Sequence, residues 1–440
     1  MNVAFISLGC DKNLSDSEHM LYLCRKAGIN ITTEEEADVI VVNSCCFIQT
    51  ALEESIQNII EAGKLKETGK LSGLVVCGCM SERYKEDIRR DLPEVDAIVG
   101  TNSYDKIVDA IMKAYGKEQF DVIEPLVGLP NDKVGRVTST GLPYDYLKIA
   151  EGCDKRCTYC IIPYLRGDYR SVPMEDLLAE ARDLAEAGIT EIDIVAQETT
   201  LYGTDIYGEK KLPELLNRIS EIEGIEWIRV LYCYPESIDD DLIECMATNP
   251  KVLHYIDMPI QHANDYILRR MNRRVKKQDI LDLIEKLRKR IPDIMLRTTL
   301  ITGFPGETDE MHEEMKDFIR EVRFDRLGAF TYSREEGTPA HDFEGQVDEK
   351  VKEKRLDEIM TLQQSIAFSK NKELIGSNMK TFVEGYIPEK NLYAGRTYGD
   401  APTIDNYVFF TSPYELISGK IVDVKITDFK DYDLIGELAE

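Results

Sequence analysis

A chain of 440 residues with 43% hydrophobic side chains has material for about three domains with packed cores. Its formal net charge of −27 argues against a generally basic nucleic-acid-binding surface, though not against a local basic patch. No apolar run approaches the ~20 residues that span a bilayer, and Met1 to Cys10 lacks the basic start and long apolar stretch of a signal peptide. The chain therefore reads as cytoplasmic, with no membrane association. Eleven cysteines in that setting point to metal or redox chemistry rather than to disulfides.

Residues 1 to about 125 alternate strand and helix. Val3–Leu8 is a β-rich run, and a helix is predicted from Ser15, whose hydroxyl would cap it. Asp38–Val42 is a second strand, followed by a helix from Gln49 to Ala62. Leu74–Cys77 is a third, with a helix beginning near Ser81. Continuous Val/Ile runs alternating with helices predict a doubly wound parallel α/β sheet. Each of these strands runs into cysteine: Cys10, then Cys45 or Cys46, then Cys79. Loops at the carboxyl ends of adjacent parallel strands converge on one edge, so three thiols distant in sequence would meet there. Cys24, Cys233, Cys245 and Cys77 read instead as small core residues.

A second unit begins near Val137. Tyr146–Ala150 is a strand feeding the loop Cys153-Asp154-Lys155-Arg156-Cys157-Thr158-Tyr159-Cys160. Three thiolates from one short loop suit three irons of a 4Fe–4S cube and leave the fourth iron open for chemistry. A structural zinc site would need a second ligand pair, and none follows this loop. Further strands are predicted at Glu191–Ala196, Trp227–Cys233, Leu253–Pro259, Met295–Thr302 and Leu327–Tyr332, with helices such as Glu175–Ala187 and Gln278–Arg290 between them. Six βα units in order imply most of a TIM-type barrel, with its site at the carboxyl ends of the strands. The cysteine loop follows the first strand and so lies on that face. A long charged helix, about Val347 to Ile375, closes the unit. From Gly376 to Glu440 the chain is rich in Val, Ile, Tyr, Phe and Thr and is predicted to form a small antiparallel β-barrel. It holds six basic and eleven acidic residues. The dense basic run Arg269–Lys277 reads as a solvated helix-and-loop face, or as a contact for RNA.

The Cys153–Cys160 loop matches the CxxxCxΦC signature and resembles radical S-adenosylmethionine (SAM) enzymes. Asn43-Ser44-Cys45-Cys46-Phe47-Ile48 resembles a methylthiotransferase motif in which the ligand cysteine follows Ser or Thr, which selects Cys45; Cys10 after Leu8-Gly9 and Cys79 after Gly78 match the family's other two positions. Val195-Ala196-Gln197-Glu198, Pro259-Ile260-Gln261-His262, Arg297-Thr298 and Gly303-Phe304-Pro305-Gly306-Glu307 support the resemblance, and Gly395-Arg396-Thr397 with Ala401-Pro402 resembles a TRAM barrel. Nearly the whole chain is covered: a methylthiotransferase domain at 1–125, a radical SAM core at 137–375 and a TRAM domain at 376–440.

The resemblance implies two 4Fe–4S clusters and SAM as cofactors. Cys153, Cys157 and Cys160 would hold the radical-generating cluster, and Cys10, Cys45 and Cys79 an auxiliary one that carries the sulfur to be transferred. Tyr159, Gln197, Arg297 and Gly303 would contact SAM, while His262 reads as a packed or hydrogen-bonding side chain. SAM would serve as radical source and as methyl donor, with an electron from an external donor. Family members act either on a modified adenosine beside the tRNA anticodon or, in the RimO type, on the β-carbon of an aspartate in the twelfth small-subunit ribosomal protein. The acidic terminal barrel and overall charge favour the basic protein over tRNA, with that ribosomal protein, free or on the ribosome, as partner to a monomeric enzyme.

Overall fold

The computed structural model describes residues 1–130 and 135–439. In the first 125 residues, β1 (Asn2–Ser7), β2 (Asn30–Ile31), β3 (Val39–Ser44), β4 (Gly73–Gly78), β5 (Ala97–Val99) and β6 (Phe120–Val122) form one parallel sheet in the order β2-β1-β3-β4-β5-β6. Strands β3 and β4 are buried at every position, which obliges helices to cover both faces. Helix α1 (Asp11–Lys26) packs Met20 and Cys24 on one face, and α2 (Gln49–Glu67) packs Ile59 and Ala62 on the other. The predicted Ser15 cap is not what starts α1. The helix begins at Asp11 with Cys10 as its N-cap, and Ser15 lies buried within it. Asp11 in the first turn suits the positive end of the helix, which is why the earlier start is stable.

The central sheet contains β7 (Tyr144–Lys148), β10 (Glu191–Val195), β11 (Trp227–Val230), β12 (Val252–Asp257), β13 (Met295–Thr302) and β14 (Arg326–Thr331), all parallel and paired in the order β14-β13-β12-β11-β10-β7. It is an open barrel whose edges are β7 and β14. Its outer face carries the largest apolar cluster, and the long helix Glu349–Leu374 packs Ile359 and Ile366 there beside β14. A two-stranded ribbon of β8 (Ala150–Glu151) and β9 (Arg170–Ser171) closes the neck of the Cys153–Cys160 loop.

The last strands, β15 (Asn378–Ile387), β16 (Leu392–Thr397), β17 (Val408–Thr411), β18 (Ile421–Lys430) and β19 (Asp433–Leu438), form a closed barrel in the order β15-β16-β17-β19-β18. It is not wholly antiparallel as expected: β17 and β19 run parallel. A ring of five strands cannot alternate direction all the way round, so one pair must be parallel.

This small barrel seats on the amino ends of the central strands. Glu191, the first residue of β10, receives Arg396 Nη2 at 2.6 Å and Arg229 Nη2 at 2.9 Å, all three side chains being at most 1% exposed. Arg326, opening β14, holds Asp400 at 2.9 Å, and Trp227, opening β11, packs on Phe382 with ring centroids 5.8 Å apart. The terminal barrel thus plugs the mouth opposite the cysteine loop. Three of its acids, Glu384, Asp400 and Asp405, pair with Arg396, Arg326 and Arg297 and so are neutralised within the protein. Removing one partner of a buried ion group strands the others. Arg396→Ala is therefore expected to cost about 3–5 kcal/mol of stability, read from the urea midpoint. Arg290→Ala, whose partner Glu244 is also exposed, should leave that midpoint unchanged.

Candidate metal centres

The two cysteine sets stand at the same mouth. Cys153, Cys157 and Cys160 lie between β8 and the short helix Ile162–Arg166. Their loop is pinned at three points: Cys153 N donates to Gly167 O at 3.1 Å, Thr158 N to Met271 O at 3.1 Å, and Ala340 N to Thr158 O at 2.8 Å. Cys153 and Cys157 are buried and Cys160 partly so. Burial pushes the Cys153 thiol up to about 12 and raises that of Cys160, and the neighbouring thiols raise both further. Three close thiols in so apolar a place ionise together only when a cation joins them.

Cys10, Cys45 and Cys79 leave the carboxyl ends of β1, β3 and β4. Gly9 brings the first two loops into contact: a Cβ there would lie 2.7 Å from Cys45 Cβ and 2.9 Å from its sulfur, and its φ of +89° suits only glycine. Asn13, one turn into α1, ties the three loops. Its Nδ2 donates to Leu8 O at 3.0 Å and to Ser44 O at 3.1 Å, while Cys79 Sγ lies 3.9 Å from its Oδ1. Burial raises the Cys45 thiol and pushes Cys79 up to about 12, with Arg166, 3.6 Å from Cys79 Sγ, opposing the second shift. Cys46 packs with Ile40, Val42 and Ile59 in the core beneath.

Among the described residues no three His, Cys, Asp or Glu side chains converge on a point that a single ion would occupy. A zinc ion would require sulfurs all within about 2.3 Å of it. A cube gives each of three thiolates its own iron, so three cysteines per set match its demand.

Two of the expected SAM contacts lie by the cysteine loop. Tyr159 stacks edge-on to Phe304 at 6.5 Å, and Phe304 in turn meets Tyr332 at 5.3 Å. Gln197 donates to Glu151 Oε1 at 2.8 Å and keeps its own Oε1 buried without a partner. The other two are engaged elsewhere. Arg297 holds Asp257 at 2.7 Å and faces Asp405 of the terminal barrel at 3.5 Å, because those carboxylates are its nearest opposite charges. Gly303 gives its N–H to Glu307 at 2.6 Å, and the stem of Lys352 fills the space beside its Cα. His262 is buried, accepting from Asn264 N at 2.9 Å with Glu307 beside it.

Sequence reasoning missed Arg166 and Arg273. Arg273 is 5% exposed, stacked 4.2 Å over Tyr234, with Nη2 on Pro259 O at 2.8 Å and with Nε and Nη1 unpartnered. It belongs to the basic run, yet Met271, Arg273 and Val275 are buried while Asn272, Arg274 and Lys276 are exposed. The signal was the alternation, with a basic residue on its inner side.

Three family models match the chain: the radical SAM superfamily over residues 147–319, the uncharacterized protein family UPF0004 over 2–100, and the TRAM domain over 375–439. In fold the chain resembles the radical SAM methyltransferase TsrM from Kitasatospora setae, at a TM-score of 0.55 and 14% identity over 77% of this chain and 76% of that one. It also resembles the cobalamin-dependent SAM radical enzyme OxsB, at a TM-score of 0.51 and 15% identity over 82% and 56%. Fold and family models define a radical SAM protein with an added N-terminal sheet and a terminal TRAM barrel. Among curated relatives, ribosomal protein uS12 methylthiotransferases RimO from Lachnoclostridium phytofermentans (55% identical, 99% of each chain) and Acetivibrio thermocellus (49%, 99% and 98%) align end to end. That of Clostridioides difficile is 47% identical over 100% of this chain and 99% of the other. The chain belongs to this RimO family of methylthiotransferases.

The contact between the Cys10 and Cys45 loops depends on glycine. Gly9→Ala is expected to lower stability by more than about 1 kcal/mol and by more than Gly128→Ala, a glycine at similar φ with open space around it. Urea denaturation of the two variants is the check.

Proposed function

We propose that this chain adds a methylthio group to the β-carbon of an aspartate in ribosomal protein uS12, with Cys153, Cys157 and Cys160 holding the SAM-binding 4Fe–4S cluster and Cys10, Cys45 and Cys79 the auxiliary one. The observation that carries the reading is the meeting of two three-thiol sets, from two separate sheets, around Arg166 at one barrel mouth. The donors fit the groups: each set offers three sulfurs, with Cys45, Cys79, Cys153 and Cys157 buried where thiolates need a metal's charge, Cys160 partly buried and Cys10 exposed at the opening. When bound, the cluster supplies an electron that cleaves SAM to methionine and a 5′-deoxyadenosyl radical.

The protein's residues then bind and aim. Arg273 presents two unpartnered N–H groups beside Tyr159 and Tyr234, suited to the carboxylate of SAM, and Gln197 Oε1 is an acceptor suited to its amino group. Tyr159, Phe304, Tyr332 and Phe343 form an apolar wall that keeps water from the radical. The substrate assignment rests on full-length similarity to uS12-modifying enzymes, with the net charge of −27 weighing against a phosphate-rich substrate. The enzyme works as a monomer with an external electron donor, in the cytoplasm, where its eleven free cysteines stay reduced. No helix among the described residues is long and apolar enough to cross a membrane.

Anaerobic reconstitution is expected to load about eight irons per chain, as two four-iron cubes. Cys153→Ala should keep about half and lose SAM cleavage; retained cleavage would contradict the assignment. With SAM, reductant and the uS12 loop peptide, mass spectrometry should find a methylthio group on the peptide. Finding it on tRNA alone would overturn the substrate.

A further inference from the structure

We propose that Arg166 is a positioning residue that joins the two cysteine sets: it clamps the N-terminal sheet to the barrel mouth and donates a hydrogen bond to the Cys79 sulfur, setting the reduction potential of the cluster held there. The inference rests on the reading that each set holds a cluster.

Arg166 ends the short helix that follows the Cys153–Cys160 loop and is 2% exposed. Its Nη1 donates to Asp16 Oδ2 at 2.7 Å and Glu151 Oε2 at 3.1 Å. Its Nη2 donates to Asn13 Oδ1 at 2.5 Å and reaches Cys79 Sγ at 3.6 Å. Lys148 closes the figure, bonding Asp16 and, at 2.8 Å, the same Glu151 oxygen. Two cations and two carboxylates therefore alternate in a buried square of zero net charge. Asp16 comes from helix α1 of the N-terminal unit; Lys148, Glu151 and Arg166 come from the barrel side.

The square connects to both cysteine sets. Glu151 stands two residues before Cys153. On the other side, Asn13 binds the carbonyls of Leu8 and Ser44, just ahead of Cys10 and Cys45. The two sets are thus linked through one chain of hydrogen bonds and ion pairs.

The contact with sulfur is separable from the clamp. Lys148 clamps the same two carboxylates and has no hydrogen bond to a cysteine, whereas Arg166 turns one arm of its fork to Cys79. A guanidinium stays charged at any working pH, and charged donors make the stronger hydrogen bonds. Hydrogen bonds to the cluster's sulfurs are one of the levers that set its potential. Donation from a cation stabilises the more negative, reduced state and so raises that potential.

The test uses the full chain. In a Cys153→Ala background only the N-terminal cluster remains, and its midpoint potential is read by redox titration followed by EPR. Arg166→Gln should shift that potential to more negative values, and by more than Lys148→Met, which removes a charge from the same square but no hydrogen bond to sulfur. In the otherwise native chain, Arg166→Gln should lower methylthio product per 5′-deoxyadenosine formed by about 10-fold or more, the size expected when a ligand's supporting partner is lost. In the metal-free chain, Arg166→Gln should raise amide exchange across residues 8–18, which reads the clamp alone. An unchanged potential, or an equal shift in Lys148→Met, overturns the sulfur role; unchanged exchange overturns the clamp. A parent Cys153→Ala chain that binds no iron contradicts the cluster assignment, and with it the effect on potential, while the exchange result still decides the clamp.

Discussion

Two carboxylates and two cations, Asp16, Glu151, Lys148 and Arg166, lie buried together where the N-terminal sheet meets the barrel. Each would cost several kcal/mol to bury alone, and each is tolerable only because the other three are present. That makes the arrangement intolerant of displacement. The sheet cannot slide on the barrel without stranding a charge. Ile161 and Leu165 also pack into the same apolar cluster as Cys79 and Met80, so charge and packing together hold the geometry between the two cysteine sets. The reacting end of the molecule depends on this constraint. The opposite mouth is closed by a second buried group, Glu191 with Arg229 and Arg396, which fixes the terminal barrel where it blocks the barrel interior from below.

Local features were legible in the sequence because local physics made them. The spacing of Cys153, Cys157 and Cys160 is a property of one loop, and strands such as Val39–Ser44, apolar from Val39 to Val42, are buried along their whole length because both faces are covered. The convergence of Cys10, Cys45 and Cys79 could be anticipated because parallel sheets bring neighbouring carboxyl ends together. Arg166 was not legible. Its partners are 150 residues away at Asp16 and 87 residues away at Cys79, and no local pattern marks a cation whose counterions arrive from another sheet. Arg273 was concealed by company: its neighbours in the basic run are solvated, and only the alternation separates it from them.

The charge of the terminal barrel is an insufficient reason for preferring a basic protein substrate. The excess of acidic residues is real, but Glu384, Asp400 and Asp405 answer arginines, two of them in the central barrel, and the unit sits at the end away from the thiols. Glu440 lies outside the described residues. What distinguishes a ribosomal protein from tRNA is carried by full-length likeness to the uS12-modifying relatives. What the structure adds is an arrangement: two three-cysteine sets at one opening, with Arg273 and Gln197 there keeping buried, unpartnered polar atoms.

Under the proposed function two clusters sit close enough to act on one substrate. Pulsed EPR of the fully reduced, reconstituted chain tests it most directly, because neighbouring paramagnetic clusters speed each other's spin relaxation. The account predicts that the N-terminal cluster relaxes faster in the native chain than in Cys153→Ala, where its neighbour is missing. Equal relaxation in the two chains, with both clusters loaded in the native one, would contradict it.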